Sequence, residues 1–141
     1  MASGGDPSTG KGRITGIGGV FFRARQRDDL AGWYHDVLGL PTTDAATAKL
    51  GDTVWAAFDL RTTYFGSDRQ QYMVNYRVDD LEAAIVRLRE AGATVAPDIQ
   101  QDEYGRFAWA VDPEGMRFEL WEPAAGFDAL DPADDPIEGT S

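Results

Sequence analysis

Residues 71–92 read QYMVNYRVDDLEAAIVRLREAG, and the spacing of their apolar side chains changes half-way. Up to Val78 apolar and polar positions alternate, as in a strand with one covered face. From Leu81 the apolar positions are Leu81, Ala84, Ile85 and Leu88, one face of a helix. Asp79 is placed to cap that helix, Glu82 three residues on completes a capping box, and Gly92 supplies a left-handed stop. The stretch predicts a strand running directly into a helix that lies back over it.

The same pattern stands earlier, at residues 14–40, ITGIGGVFFRARQRDDLAGWYHDVLGL. A β-like run leads to Asp28, Asp29 and Leu30, as the later one leads to Asp79, Asp80 and Leu81. Leu30, Trp33, Tyr34, Val37 and Leu38 form one apolar stripe, predicted to face a sheet, and Gly39 stands at the C-cap. Extended stretches follow each helix: LPTT, TVWAAFDLR and a short TTYFG in the first half, ATVAP, YGRFAWAV and MRFELWEP in the second. DPEG joins the last two, with Pro113 and Gly115 where a tight turn wants them. Each half therefore reads βαβββ, and the fold class is α+β. The expected domain covers residues 14–123, with module one at about 14–66 and module two at about 70–123.

The flanks read differently. Residues 1–13 are rich in Gly, Ser and Pro and predict a flexible leader. Residues 124–141 form an acidic tail; FDALDPADDPIEGTS carries five acids, no base and two prolines, with Phe127 and Leu130 as its available anchors. Over the whole chain 24 acidic residues outnumber 13 basic ones, a net charge of −11. That field repels polyanions, so nucleic acid and anionic membrane surfaces are not expected partners. The absence of cysteine rules out disulfides, thiolate metal sites and a Cys nucleophile. With neither a signal core nor a membrane-length apolar run, the expectation is a soluble cytoplasmic protein.

Period two assigns faces within the strands. In residues 71–78, Tyr72, Val74, Tyr76 and Val78 belong under the helix, with Gln71, Met73, Asn75 and Arg77 opposite. In the first strand Gly18, Val20 and Phe22 go under the helix, with Ile17, Gly19 and Phe21 opposite. In MRFELWEP, Phe118 and Leu120 take one side, Arg117, Glu119 and Trp121 the other. Two such modules side by side would curve their uncovered faces into a cup, the expected ligand site.

Glu119 is then a carboxylate needing a cation, hydrogen-bond donors or water. It is a ligand anchor, a metal ligand, or half of a salt bridge with Arg77, Arg106 or Arg117. Trp55, Trp109 and Trp121 fit the lining of a pocket for a flat organic ligand, although aromatics on strands ordinarily serve packing. Asn75 and Met73 share the cup-facing phase, and Tyr104 opens the penultimate strand at its rim. His35, the single histidine, lies off the helix stripe and is expected at the surface. Gly16, Gly18 and Gly19 form no dinucleotide fingerprint, because a strand follows them where that motif needs a helix.

Together GIGGVFFRA, DDLAGWYHDVLGLP, MVNYRVDDLEAAIVRLREAGATV and YGRFAWAVDPEGMRFELWEP resemble the vicinal oxygen chelate superfamily, the group of glyoxalase I, bleomycin-resistance proteins and extradiol dioxygenases. The resemblance spans nearly all of residues 14–123 and is most specific in the DPEG-x-x-x-E-L-W-E-P ending. It implies paired βαβββ modules forming a cupped mixed sheet, a homodimer, and in metal-using members a divalent ion held by His, Gln or Glu. Those ligand positions fall on Gly19, Met73 and Glu119, with a fourth near Tyr64. Glycine has no donor, and a thioether is a poor ligand for Mg, Mn, Ni or Zn. The first expectation is therefore a protein that binds a small organic molecule, sequestering it or acting on it without a complete metal site and with no cofactor. The alternatives are a divalent-metal lyase, isomerase or dioxygenase with a rearranged ligand set around Glu119, and a structural or regulatory dimer with a filled cup.

Overall fold

The computed structural model describes residues 10–44 and 46–125. The acidic tail from residue 126 onward, Phe127 and Leu130 included, and the first nine residues of the leader lie outside them. The chain divides into two compact units, the first Ile17–Asn75, the second residues 10–16 with the stretch from Tyr76 onward. The elements are β1 (Ile14–Ala24), α1 (Arg27–Leu38), β2 (Thr42–Asp44), β3 (Thr47–Leu50), β4 (Thr53–Asp59), β5 (Tyr72–Val78), α2 (Leu81–Glu90), β6 (Thr94–Val95), β7 (Gln100–Asp102), β8 (Gly105–Val111) and β9 (Arg117–Pro123). Strands β1 and β5 contribute residues to both units.

In the first unit the strand order is β2-β3-β4-β1-β5. β4 runs parallel to β1 and antiparallel to β3. Helix α1 packs through Ala31 onto Ala24, Ala46 and Ala57, with Phe22, Leu30 and Trp55 around them. This corrects the expected apolar stripe, because Trp33, Val37 and Leu38 are 53%, 56% and 71% exposed. Four small side chains make the contact, which brings the helix close to the sheet and leaves the larger ones at its margin. Phe22 sits under the helix as expected, whereas Val20 is exposed. The TTYFG stretch is a turn rather than a strand, and β3 stands where no strand was expected.

In the second unit the order is β1-β5-β9-β8-β6, with β7 paired to β8. The β5–α2 unit forms as read. Val78, Leu81, Ala84, Ile85, Ala108 and Leu120 make the core, joined by Tyr76, Leu88, Val95 and Phe118. Fully burying an aliphatic side chain contributes about 1.5–3 kcal/mol, so this cluster is the main support of the unit. Tyr72, expected under the helix, is exposed.

The cap of α2 differs from expectation by one residue. Asp80 is the N-cap and accepts from the Ala83 N–H at 3.0 Å, while Glu122 of β9 accepts from the Leu81 N–H at 2.7 Å. Asp79 instead accepts from the backbone N–H groups of Gly12 (2.7 Å) and Arg13 (3.1 Å), fixing those leader residues to the unit. Burial pushes the Asp79 carboxyl up, but these two bonds and the Arg13 guanidinium outweigh it, so its pKa lies below the ordinary carboxylate value. Glu82 pairs with Arg106 at 3.2 Å instead of closing a capping box. The DPEG turn forms as read: the Gly115 N–H donates to the Asp112 carbonyl, and Asp112 Oδ1 accepts from Glu114 and Met116.

Candidate functional site

The β8–β9 hairpin sets the candidate site. Its register places Trp109 opposite Glu119, Phe107 opposite Trp121 and Val111 opposite Arg117. Leu120 and Phe118 pack toward α2, so period two turns Glu119, Trp121 and Arg117 to the other face. On β5 Val78 packs toward α2 too, which puts Arg77 on the face of Glu119. Glu119 is 2% exposed, and Trp109, Trp121 and Arg77 are also buried. An enclosed carboxylate is stable only with charged or hydrogen-bonding company, and two guanidinium groups share its side of the sheet.

The aromatic wall is braced locally. The rings of Phe107 and Trp121 lie parallel, 6.0 Å between centroids, and the Arg117 guanidinium sits over the Trp109 ring at 5.7 Å. Trp121 Nε1 donates to the Tyr104 carbonyl at 2.9 Å. Gly105 permits that approach: its φ is +136°, and a Cβ there would stand 2.9 Å from Trp121 Nε1 and collide with the Glu122 carbonyl oxygen. Gly16 plays a similar part for Arg77, whose guanidinium occupies the space a Cβ would need. Arg106, weighed as a partner for Glu119, lies on the opposite phase and pairs with Glu82 and Glu122.

A glyoxalase-like domain model matches residues 19–121, most of the chain. The chain belongs to the glyoxalase-like family. It is thereby a member of the vicinal oxygen chelate superfamily. It is 31% identical over 121 residues to the anthracycline biosynthesis protein DauV of Streptomyces sp. (strain C5), an alignment covering 77% of this chain and 43% of that protein. The chain thus spans less than half the length of that relative. Among solved structures, it resembles methylmalonyl-CoA epimerase from Mycobacterium tuberculosis (TM-score 0.64, 22% identity, 82% of this chain and 93% of that one). A variant of the Streptomyces coelicolor methylmalonyl-CoA epimerase in complex with 2-nitronate-propionyl-CoA gives a TM-score of 0.63 at 16% identity, covering 79% of this chain and 99% of that one. At such identities the likeness establishes the α+β fold.

The glyoxalase-like domain distributes its expected site residues unevenly. Glu119, Trp109 and Trp121 share a face of the second unit. Tyr104 contributes its carbonyl to that wall, while its side chain is exposed. Gly19, Met73, Asn75, Tyr64 and Trp55 belong to the first unit. Met73 and Asn75 are buried on β5, as are Gly18 and Gly19 on β1. Trp55 lies on the α1 side of the first unit, edge-on to Phe22 (4.9 Å) and Tyr34 (5.5 Å). His35 is exposed, with Nδ1 2.8 Å from the Leu40 carbonyl oxygen.

The divalent metal that the resemblance implies does not fit the residues expected to hold it. Gly19 offers no donor, and a Cβ there would press within 2.7 Å of the Phe21 ring. Met73 offers a thioether, and Glu119 alone has a hard oxygen. Tyr64 stacks on Phe58 at 5.5 Å. Among the described residues no three His, Cys, Asp or Glu side chains gather as a metal-binding group.

Sequence reasoning missed Arg23. Its Nε donates to the Gln70 carbonyl, Nη1 to those of Leu60 and Thr62, and Nη2 to that of Ser67, at 2.7–3.0 Å. Its guanidinium also lies 5.1 Å from the Phe65 ring centroid. It pins the segment between β4 and β5, which carries Tyr64.

Proposed function

We propose that this glyoxalase-like domain binds a small, flat organic molecule against the β8–β9 aromatic face, anchored by Glu119 and without the family's metal. The observation that carries the reading is the pairing of Glu119 with Trp109, a buried carboxylate across from a buried indole. Trp109, Trp121 and Phe107 offer ring surface for stacking, on the order of 0.5–1.5 kcal/mol per aromatic pair. Glu119 accepts hydrogen bonds from a ligand N–H or O–H. Similarity to a protein named for anthracycline biosynthesis supports an organic ligand, and the donor-poor set Gly19, Met73 and Glu119 supports metal-free binding. Because Glu119 is enclosed, ligand entry waits on local opening and is slower than diffusion allows. Sequestration is the primary role in this reading. The same reading includes a homodimer, for which the exposed α1 residues Trp33, Val37 and Leu38 supply apolar contact.

The test is a fluorescence titration in a Trp33→Phe, Trp55→Phe background, leaving Trp109 and Trp121 as the reporters. Aromatic amines and phenols quench that emission saturably, and Glu119→Gln weakens them roughly tenfold, the loss of one charge-assisted hydrogen bond. Binding indifferent to Glu119→Gln, or appearing only with an added divalent ion, counts against the reading.

A further inference from the structure

The edge of the second unit opens a route to Trp109. The strand order ends at β6, whose register sets Thr94 opposite Val111 and Val95 opposite Ala110. Val95 packs into the core beside α2, so alternation turns Thr94 and Ala96 to the face that carries Trp109 and Arg117. The Ala96 N–H donates to the Trp109 carbonyl at 2.8 Å, which continues the ladder one residue past the strand. Thr94, Ala96, Trp109, Val111 and Arg117 line a cavity of about 200 Å³. Thr94 is exposed, Ala96, Val111 and Arg117 are half-buried and Trp109 is buried, so the cavity leads from solvent to the indole. A cavity of about 150 Å³ is enough to hold benzene, so this one takes a single ring with a small substituent.

The indole at its inner end is already engaged by a cation. The Arg117 guanidinium, which stays charged at any working pH, lies 5.7 Å from the centroid of the Trp109 ring. What draws it there is the negative charge on the face of the ring. The cation in turn pulls the indole's electron density toward itself. Trp109 is then a poor stacking partner for an electron-poor or cationic ring and a better one for an electron-rich ring. Among the described residues of this face Arg77 adds a second cation to set against Glu119. Arg117 is thus committed to the indole and acts on a ligand through it.

We propose that this cavity is the ring-binding end of the Glu119 face and that it selects a single, uncharged, electron-rich aromatic ring. This rests on ligand binding at the Glu119 face, as proposed, and narrows it in size and in electronic character. A hydroxyl or amino substituent of that ring, turned toward β9, meets Glu119, which stands opposite Trp109.

The probes are para-methoxybenzyl alcohol and para-(trifluoromethyl)benzyl alcohol, titrated into the full chain and followed by ¹H–¹⁵N correlation spectra. Their methylene group insulates the hydroxyl, so the two differ chiefly in ring electron density, and the trifluoromethyl compound is the more hydrophobic. Saturable shifts are expected at Thr94, Ala96, Val111 and the Trp109 indole N–H, with the methoxy compound binding roughly fivefold tighter. Arg117→Met, which keeps the stem and removes the charge, erases that preference, whereas Arg117→Lys retains it. Ala96→Leu fills the cavity and abolishes binding of both probes. Equal affinities, or tighter binding of the trifluoromethyl compound, overturn the proposal. So does a preference that survives Arg117→Met, or binding that survives Ala96→Leu. Aromatic amines and phenols that quench the Trp109 and Trp121 emission while neither probe shifts Thr94 or Ala96 overturn this inference alone. If none of these compounds binds, the Glu119 site falls with it.

Discussion

Glu119 and Trp109 face each other across the β8–β9 register, a carboxylate and an indole buried side by side on the face away from α2. Changing Glu119 to Ala removes a buried carboxylate from the face that Arg77 and Arg117 share. The expected loss is on the order of a few kcal/mol, the scale for removing a buried charged group from polar surroundings. Glu119→Gln, which keeps the shape, should lose less. Urea unfolding of both variants checks the order.

Trp121 is held by its indole N–H to the Tyr104 carbonyl. Trp121→Phe removes one hydrogen bond and is expected to destabilise by about 1 kcal/mol plus the smaller ring's packing. Gly105→Ala should cost more, because φ of +136° strains any L side chain and its Cβ meets the β9 backbone. Thermal melts of the two variants give the comparison, and a Gly105→Ala protein as stable as the parent would refute this account of the wall.

Arg23 ties four carbonyls of the β4–β5 connection. Arg23→Ala is expected to destabilise by about 2–3 kcal/mol and to speed amide exchange across residues 60–71. Arg23→Lys should not rescue it, since one ammonium cannot fork to carbonyls on both sides of the loop. Hydrogen exchange read by mass spectrometry resolves the segment.

Asp79 gives a pH signature. Its folded pKa is lowered, because the Gly12 and Arg13 N–H groups and the Arg13 cation outweigh the burial that raises it. Its stabilisation is therefore complete above the ordinary carboxylate value of 3.8 and is lost as pH falls through the lower folded value. The side chain is partly exposed, so the effect is below about 1 kcal/mol. Asp79→Asn should flatten that part of the acid stability curve, as measured by denaturant midpoints between pH 5 and pH 2.

The fold was legible where the signal is local. Alternation in residues 71–78, helical spacing from Leu81 and the chemistry of DPEG each depend on near neighbours, and β5, α2 and the β8–β9 hairpin formed accordingly. The phase of MRFELWEP put Glu119 and Trp121 on one face correctly. The buried side of α1 was not legible, because the packing of Ala31 on three alanines outside the helix decides it, and a scan weighted by large side chains chooses Trp33 and Val37 instead. The side that Trp55 takes was not legible for a related reason: VWAAF has apolar residues on both phases, so period two cannot say which side α1 will cover. Asp79 and Asp80 are equivalent as caps until Gly12 and Arg13 arrive to claim one. Arg23 and the Tyr104 carbonyl act through backbone groups, which leave no mark on side-chain pattern.

Native mass spectrometry of the full chain against a panel of small aromatic and amphipathic compounds, with and without a divalent-ion chelator, bears most directly on the Glu119 face. A one-to-one organic adduct that survives the chelator and is weakened roughly tenfold or more in both Glu119→Gln and Trp109→Ala is the predicted result. An adduct that forms only with a stoichiometric metal ion, both lost together in Glu119→Gln, would contradict it.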